Sequence, residues 1–112
     1  MKEKNIEDKI KHLLKEHNIY YVKIHGGMYQ TPGVPDLIIN YQGFFLALEV
    51  KKHPNKPTEI QRYHLLKIRK TLGISLIINE FNFEQLKSLI QKGASYEDFV
   101  SFSNQCFEVF GI

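Results

Sequence analysis

Residues Pro35 to Lys51 place the tightest constraint on how this chain can fold. Pro35-Asp36 leads into the apolar run Leu37, Ile38, Ile39 and Asn40, and a second run, Phe44 to Leu48, ends in Glu49, Val50 and Lys51. Both arms are rich in branched and aromatic residues and are split by Tyr41-Gln42-Gly43, so they read as two buried strands of a hairpin. With Gln42 and Gly43 as a two-residue turn, Tyr41 pairs with Phe44 and Asp36 lies directly opposite Glu49. Opposed residues in an antiparallel pair have Cβ atoms roughly 4.5–5.5 Å apart, and like charges there repel. Side chains alternate along a strand, so Glu49 and Lys51 project from one face. Two carboxylates and an ammonium therefore converge at the open end of an apolar hairpin. A divalent cation relieves that repulsion and supplies a reason for the arrangement. A slip of one residue in the pairing would separate the acids onto opposite faces.

The remaining composition is permissive. The 112 residues suit one compact domain with a real core. Hydrophobic residues make up 43% and charged residues 24%, as in ordinary globular proteins. The single cysteine, Cys106, excludes an internal disulfide framework and a multi-cysteine zinc site. A net charge of +3 and a pI near 8.9 permit nucleic-acid binding without requiring it. The residues after Met1 lead into no long apolar run, so neither a signal peptide nor a membrane span is expected, and a cytoplasmic protein is the default.

In chain order, Asn5 reads as a helix cap, with Ile6, Ile10, Leu13 and Leu14 forming the buried stripe and Asn18 the stop. Glu7 lies at the margin of that stripe, either as a solvated charge or as a carboxylate reaching towards the hairpin. Ile19 to Ile24 alternates like a strand. From His25 to Pro35, three glycines and two prolines imply a loop, in which Lys23, His25, Tyr29 and Gln30 are placed to meet phosphates. Each of these also has a plain reading, Tyr29 as packing and His25 as a solvated loop residue. Lys52 to Pro57 is a second, basic loop. Thr58-Glu59-Ile60-Gln61 is a capping-box pattern opening a helix that runs to about Leu72, with Gly73 as its stop and Ile60, Tyr63, Leu66 (or Leu65) and Ile68 as its apolar side. Gln61 completes the cap, points into the site, or does both. Ile74 to Asn79 reads as a further buried strand. Helices starting at Asn82 and Ser95 follow, and the apolar tail from Phe107 is an extra core element or a surface covered by a second copy.

The order α-β-β-β-α-β and the residues within it resemble the PD-(D/E)xK nuclease superfamily, and in it the small stand-alone VRR-NUC group. The resemblance rests on Glu7 in the first helix, Gly33-Val34-Pro35-Asp36-Leu37 entering a strand, Glu49-Val50-Lys51, and Thr58 with Gln61 opening the next helix. It covers about residues 6–79. It implies a restriction-endonuclease-like α/β fold, a central mixed sheet flanked by helices, with a C-terminal helical and apolar extension over 80–112, all in one domain over 1–112.

The resemblance also implies an Mg²⁺-dependent endodeoxyribonuclease, with Mn²⁺ as a possible substitute. Asp36 and Glu49 would hold the ion with the Val50 carbonyl as a third ligand, and Glu7 would act through water or hold a second ion. Lys51 would stabilise the phosphorane-like transition state or orient the attacking water, and Gln61 would orient that water or a phosphate oxygen. Lys23, His25, Tyr29, Gln30, Lys52, Lys56 and Thr58 form the expected DNA-contacting rim. Relatives in the superfamily suggest branched DNA, and symmetric cutting of a four-way (Holliday) junction requires a homodimer. The alternatives are a flap or duplex nuclease of the same superfamily, a non-cleaving DNA-binding subunit, and a structural domain in which Asp36 and Glu49 merely pair with Lys51 and Lys52.

Overall fold

A computed structural model describes residues 2–26 and 31–112. The elements run α1 (Glu3–Glu16), β1 (Tyr20–Lys23), β2 (Leu37–Tyr41), β3 (Phe44–Val50), α2 (Glu59–Lys70), β4 (Ile74–Ile78), α3 (Phe83–Gln91) and α4 (Tyr96–Phe110). They build one four-stranded sheet in the order β1-β2-β3-β4. The first three strands form an antiparallel meander, and β4 joins β3 in parallel. A parallel neighbour needs a crossover, and α2 supplies it.

The hairpin has the expected register. Gln42 (φ 49) and Gly43 (φ 91) both take positive φ, as a type I′ two-residue turn requires. Tyr41 pairs with Phe44 and Leu37 with Leu48, so the next position outward sets Asp36 against Glu49. The sheet then has two unlike faces. One carries Leu37, Ile39, Tyr41, Leu46, Leu48, Val50, Leu76 and Ile78, all buried. The other carries exposed Tyr20 and Val22 on the edge strand β1 and exposed Phe45 near the turn, with buried Ala47, Ser75, Glu49 and Ile77 on β3 and β4. On this second face α2 lies against β4, where the Ser75 hydroxyl donates to the Leu65 carbonyl at 2.7 Å.

Several sequence-based expectations need correction. α1 begins at Glu3, so Asn5 lies inside the helix; Lys2 is the cap residue, and it makes no side-chain cap bond. Glu3 in the first turn and the Lys4–Asp8 ion pair (3.7 Å) favour the earlier start. Asn18 does stop the helix, at φ 53, with Ile19 N–H donating to Leu14 O and Asn18 N–H to Lys15 O, a Schellman-type end. α2 ends the same way, but its left-handed residue is Leu72 (φ 73) and not Gly73. Gly73 serves close packing instead: a Cβ there would lie 2.9 Å from Ile68 Cγ2 and 3.1 Å from Phe45 Cδ1. The apolar side of α2 is also shifted. Leu65 is the buried residue, whereas Ile60, Tyr63 and Leu66 are exposed, because α2 meets the sheet along the line that Leu65 and Ser75 define.

The C-terminal segment belongs to the core. Phe99, Phe102, Phe107 and Phe110 of α4 are buried. The Phe99 ring lies 4.9 Å from Tyr41 and 5.7 Å from Phe44, centroid to centroid. Ser103 donates its hydroxyl to the Ser75 carbonyl at 2.6 Å. The apolar tail is thus the last turn of a core helix capped by Gly111 (φ 70). Among the described residues, no helix is long and apolar enough to cross a membrane.

Candidate active site

The acid pair sits where β2 begins and β3 ends. Asp36 precedes Leu37 by one residue, and its carbonyl accepts from Ile24 N–H at 2.8 Å, which extends the β1–β2 ladder past its last pair. Its Oδ2 accepts from the Val50 N–H at 2.7 Å. One carboxylate is therefore fastened to the strand that carries the other. Glu49 is 2% exposed, and its Oε1 is buried without a hydrogen-bond partner among the described residues. Burial, followed by the charge of Asp36, pushes the Glu49 carboxyl up to about 9, and the Lys51 charge only partly offsets this. Lys51, 9% exposed, leaves the sheet beside β4, with its N–H donating to Ile78 O at 2.9 Å.

Glu7 reaches the margin of this cluster through a cation. Lys23 Nζ lies 2.7 Å from Glu7 Oε1 and 3.7 Å from Asp36 Oδ1, so it links the two acids. Lys11, one turn further along α1, takes the other oxygen at 3.0 Å. Burial raises the Glu7 carboxyl, but the hydrogen bonds from Lys23 and Lys11 outweigh it and hold the group below its ordinary value. Sequence reasoning assigns Lys23 to the phosphate-binding rim; the structure sets it between two carboxylates, as the side chain of the last β1 residue beside Leu37. The alternation of Ile19 to Ile24 is the signal that locates it, once the β1–β2 register is known.

Gln61 completes the capping box. Its Oε1 accepts from Thr58 N–H at 2.8 Å, and Thr58 Oγ1 accepts from Gln61 N–H at 3.3 Å. The amide oxygen of Gln61 and the hydroxyl of Thr58 are thereby engaged in starting α2. Of the expected rim, His25, Lys56 and Thr58 are exposed and Lys52 is half-buried, while Tyr29 and Gln30 lie outside the described residues. The Val50 N–H, which positions Asp36, escapes a reading of the sequence, because main-chain donors leave no mark in side-chain patterns.

Among the described residues, no three His, Cys, Asp or Glu side chains gather into a cluster able to hold an ion. The donors that do converge are two carboxylates, and the orphaned Glu49 Oε1 is the feature that fits a cation. Oxygen-only donors of high charge suit a hard ion such as Mg²⁺, which keeps several of its own waters and needs few protein ligands. A third carboxylate is not required for that fit.

The same architecture occurs in solved structures. The chain is similar to a structure described as a VRR_NUC domain, with a TM-score of 0.66 and 22% identity, covering 80% of this chain and 94% of that one. It is also similar to Hjc of Archaeoglobus fulgidus, described as a Holliday junction resolvase from an archaeal hyperthermophile, with a TM-score of 0.54 and 16% identity over 68% of this chain and 66% of that chain. No protein-family model and no curated protein sequence matches the chain. The α-β-β-β-α-β core with its mixed sheet is a restriction-endonuclease-like fold.

Proposed function

We propose that this protein is a metal-dependent DNA endonuclease that hydrolyses phosphodiester bonds, selects branched DNA such as a four-way junction, and acts as a homodimer. The observation that carries the reading is the pairing of half-buried Asp36 with buried Glu49, with Lys51 beside them, at the strand ends of a restriction-endonuclease-like sheet. A structural domain has no use for a carboxyl kept 2% exposed with an oxygen unpartnered among the described residues, because replacing it with an apolar residue would remove the desolvation cost. The description of Hjc as a Holliday junction resolvase supports the choice of branched DNA.

In this reading Asp36, Glu49 and the Val50 carbonyl hold a divalent cation, Mg²⁺ or Mn²⁺. When bound, the ion polarises the scissile phosphate and lowers the pKa of water. The hydrogen bond from Val50 N–H to Asp36 keeps that carboxylate in place before substrate arrives, which is the preorganisation catalysis needs. Lys51 places its ammonium where negative charge grows on the phosphoryl oxygens. Gln61, its oxygen used by the cap, retains its amide N–H donors for the attacking water or a phosphate oxygen. Glu7 stands behind Lys23 and sets the charge around Asp36. Lys52, Lys56 and His25 would meet phosphates, so affinity falls steeply with salt.

Each chain carries one site, so cutting two strands symmetrically needs two subunits about a two-fold axis. The exposed Tyr20, Val22 and Phe45, on the sheet face that also bears Glu49, offer apolar area for such an interface. The test is incubation with labelled four-way, flap and duplex DNA in Mg²⁺ or EDTA, alongside sedimentation at assay concentration. Metal-dependent nicking with preference for the junction and a dimeric mass supports the reading. A monomer without preference for branched DNA removes the resolvase assignment, and no cleavage of any DNA removes the nuclease.

A further inference from the structure

We infer that Phe81, backed by His53, is a stacking platform for an unpaired DNA base within a few nucleotides of the scissile phosphate; this rests on the nuclease reading above. Lys51 N–H donates to Ile78 O, so the chains leaving β3 and β4 emerge side by side from the sheet edge that carries the acids. Two residues further on, His53 N–H donates to Glu80 Oε1 at 2.9 Å, tying the two exits together. The rings of His53 and Phe81 then meet edge to face, centroids 5.1 Å apart at 71°.

Phe81 is 72% exposed, yet the turn that presents it is tightly held. Asn79 Oδ1 accepts from the N–H groups of Phe81 (2.9 Å) and Asn82 (3.1 Å), and Asn82 Oδ1 accepts from Asn79 N–H at 2.8 Å. Asn82 Nδ2 donates to Ile77 O at 2.8 Å, anchoring the turn to β4. A large aromatic ring is thus displayed to solvent on a backbone with little freedom, which lowers the ordering cost of stacking on it.

The ring forms a wall of a cavity of about 490 Å³ that also includes His53, Gln85, Gln105, Glu108 and Val109. Amide donors and acceptors beside an aromatic and an aliphatic surface suit a nucleobase, which has a π-face and polar edges. The Glu108 carboxylate disfavours a phosphate inside, so the base enters and the backbone stays outside, towards Lys52. From Glu49 to His53 an extended chain spans at most about 14 Å, the rise of a few nucleotides at about 3.4 Å per nucleotide. A paired base cannot reach such a platform, whereas a base freed at a branch point or strand end can. The platform therefore supplies a preference for open DNA without sequence reading.

The chain contains no tryptophan, so Phe81→Trp introduces a single fluorescent reporter. In an Asp36→Asn background, which retains bound DNA uncut, emission from the introduced indole should be quenched by single-stranded and forked oligonucleotides and not by blunt duplex. Phe81→Ala should weaken single-stranded and forked DNA by about 5- to 100-fold and leave blunt duplex within about twofold, with Phe81→Trp restoring affinity. Absent quenching at saturating forked DNA, or equal losses on forked and blunt DNA, overturns the inference. If the Asp36→Asn protein binds all three DNAs and Phe81 is indifferent, only the platform fails. If it binds none, the nuclease reading fails with it.

Discussion

Asp36 Oδ2 and the Val50 N–H are joined by a 2.7 Å hydrogen bond, so the carboxylate entering β2 is held by the main chain next to Glu49 on β3. This bond turns two strand-end charges into one rigid unit. It also keeps Asp36 from swinging away, so its charge adds to burial, the larger cause, in making Glu49 hard to ionise.

Replacing Asp36 by Asn or Glu49 by Gln should reduce cleavage about 10²–10³-fold or more, the scale on which a preorganised charge-stabilising group acts. The fold should survive both changes. Glu49→Gln removes a buried group that resists ionisation and keeps its shape, so its thermal midpoint should equal or exceed that of the parent. A large loss of stability in Glu49→Gln would show that the carboxylate is structural.

Without divalent metal, stability should decline with pH. The folded pKa of Glu49, about 9, lies above its ordinary 4.5, so its contribution is fully present below about 4.5 and lost as pH rises through about 9. Thermal melts in EDTA from pH 5 to 9 should show this slope, and Glu49→Gln should flatten it. Added Mg²⁺ should stabilise more as pH rises, because the proposed ion would compete with the proton for the same oxygens. Glu7 acts in the opposite sense, since its depressed pKa makes its contribution disappear only as pH falls below its ordinary range.

The Glu7–Lys23 bridge is mostly shielded, with side chains 15% and 23% exposed. A double-mutant cycle with Glu7→Gln and Lys23→Met should give a coupling of about 1–2 kcal/mol, between exposed and fully buried pairs. Lys11→Met should cost less, about 0.3–0.5 kcal/mol, the scale of an i,i+4 helix pair. A coupling near zero would show that Lys23 is held by Asp36 alone.

The cap role of Gln61 can be separated from the site role proposed for it. Gln61→Glu preserves the acceptor that completes the cap, so denaturant stability should be unchanged, while losing the amide donors should lower cleavage. Gln61→Ala removes both and should cost about 0.5–2 kcal/mol as well. Full cleavage by Gln61→Glu would assign the residue to the cap alone.

Local chemistry explains which parts are legible in the sequence. The Gln42-Gly43 turn, the alternation of the hairpin and the Thr58 capping box all depend on residues within a few positions of one another, and each forms as expected. Because strand pairing has a period of two, the turn alone dictates that Asp36 and Glu49 share a face. The apolar side of α2 is ambiguous in the sequence because Ile60, Tyr63 and Leu66 satisfy helical spacing as well as Leu65 does. Which of them is buried depends on how the helix sits against Ser75 of β4.

The sequence by itself determined the hairpin, its register and the residue types at the strand ends. Only the tertiary structure decided that Glu49 loses its water and that Lys23 turns inwards to join Glu7 to Asp36. It also decided that the Val50 N–H locks Asp36, and that the apolar tail belongs to the core. Those outcomes depend on contacts between segments far apart in the chain, and desolvation and charge pairing are properties of the assembled surroundings, which no single stretch of sequence contains.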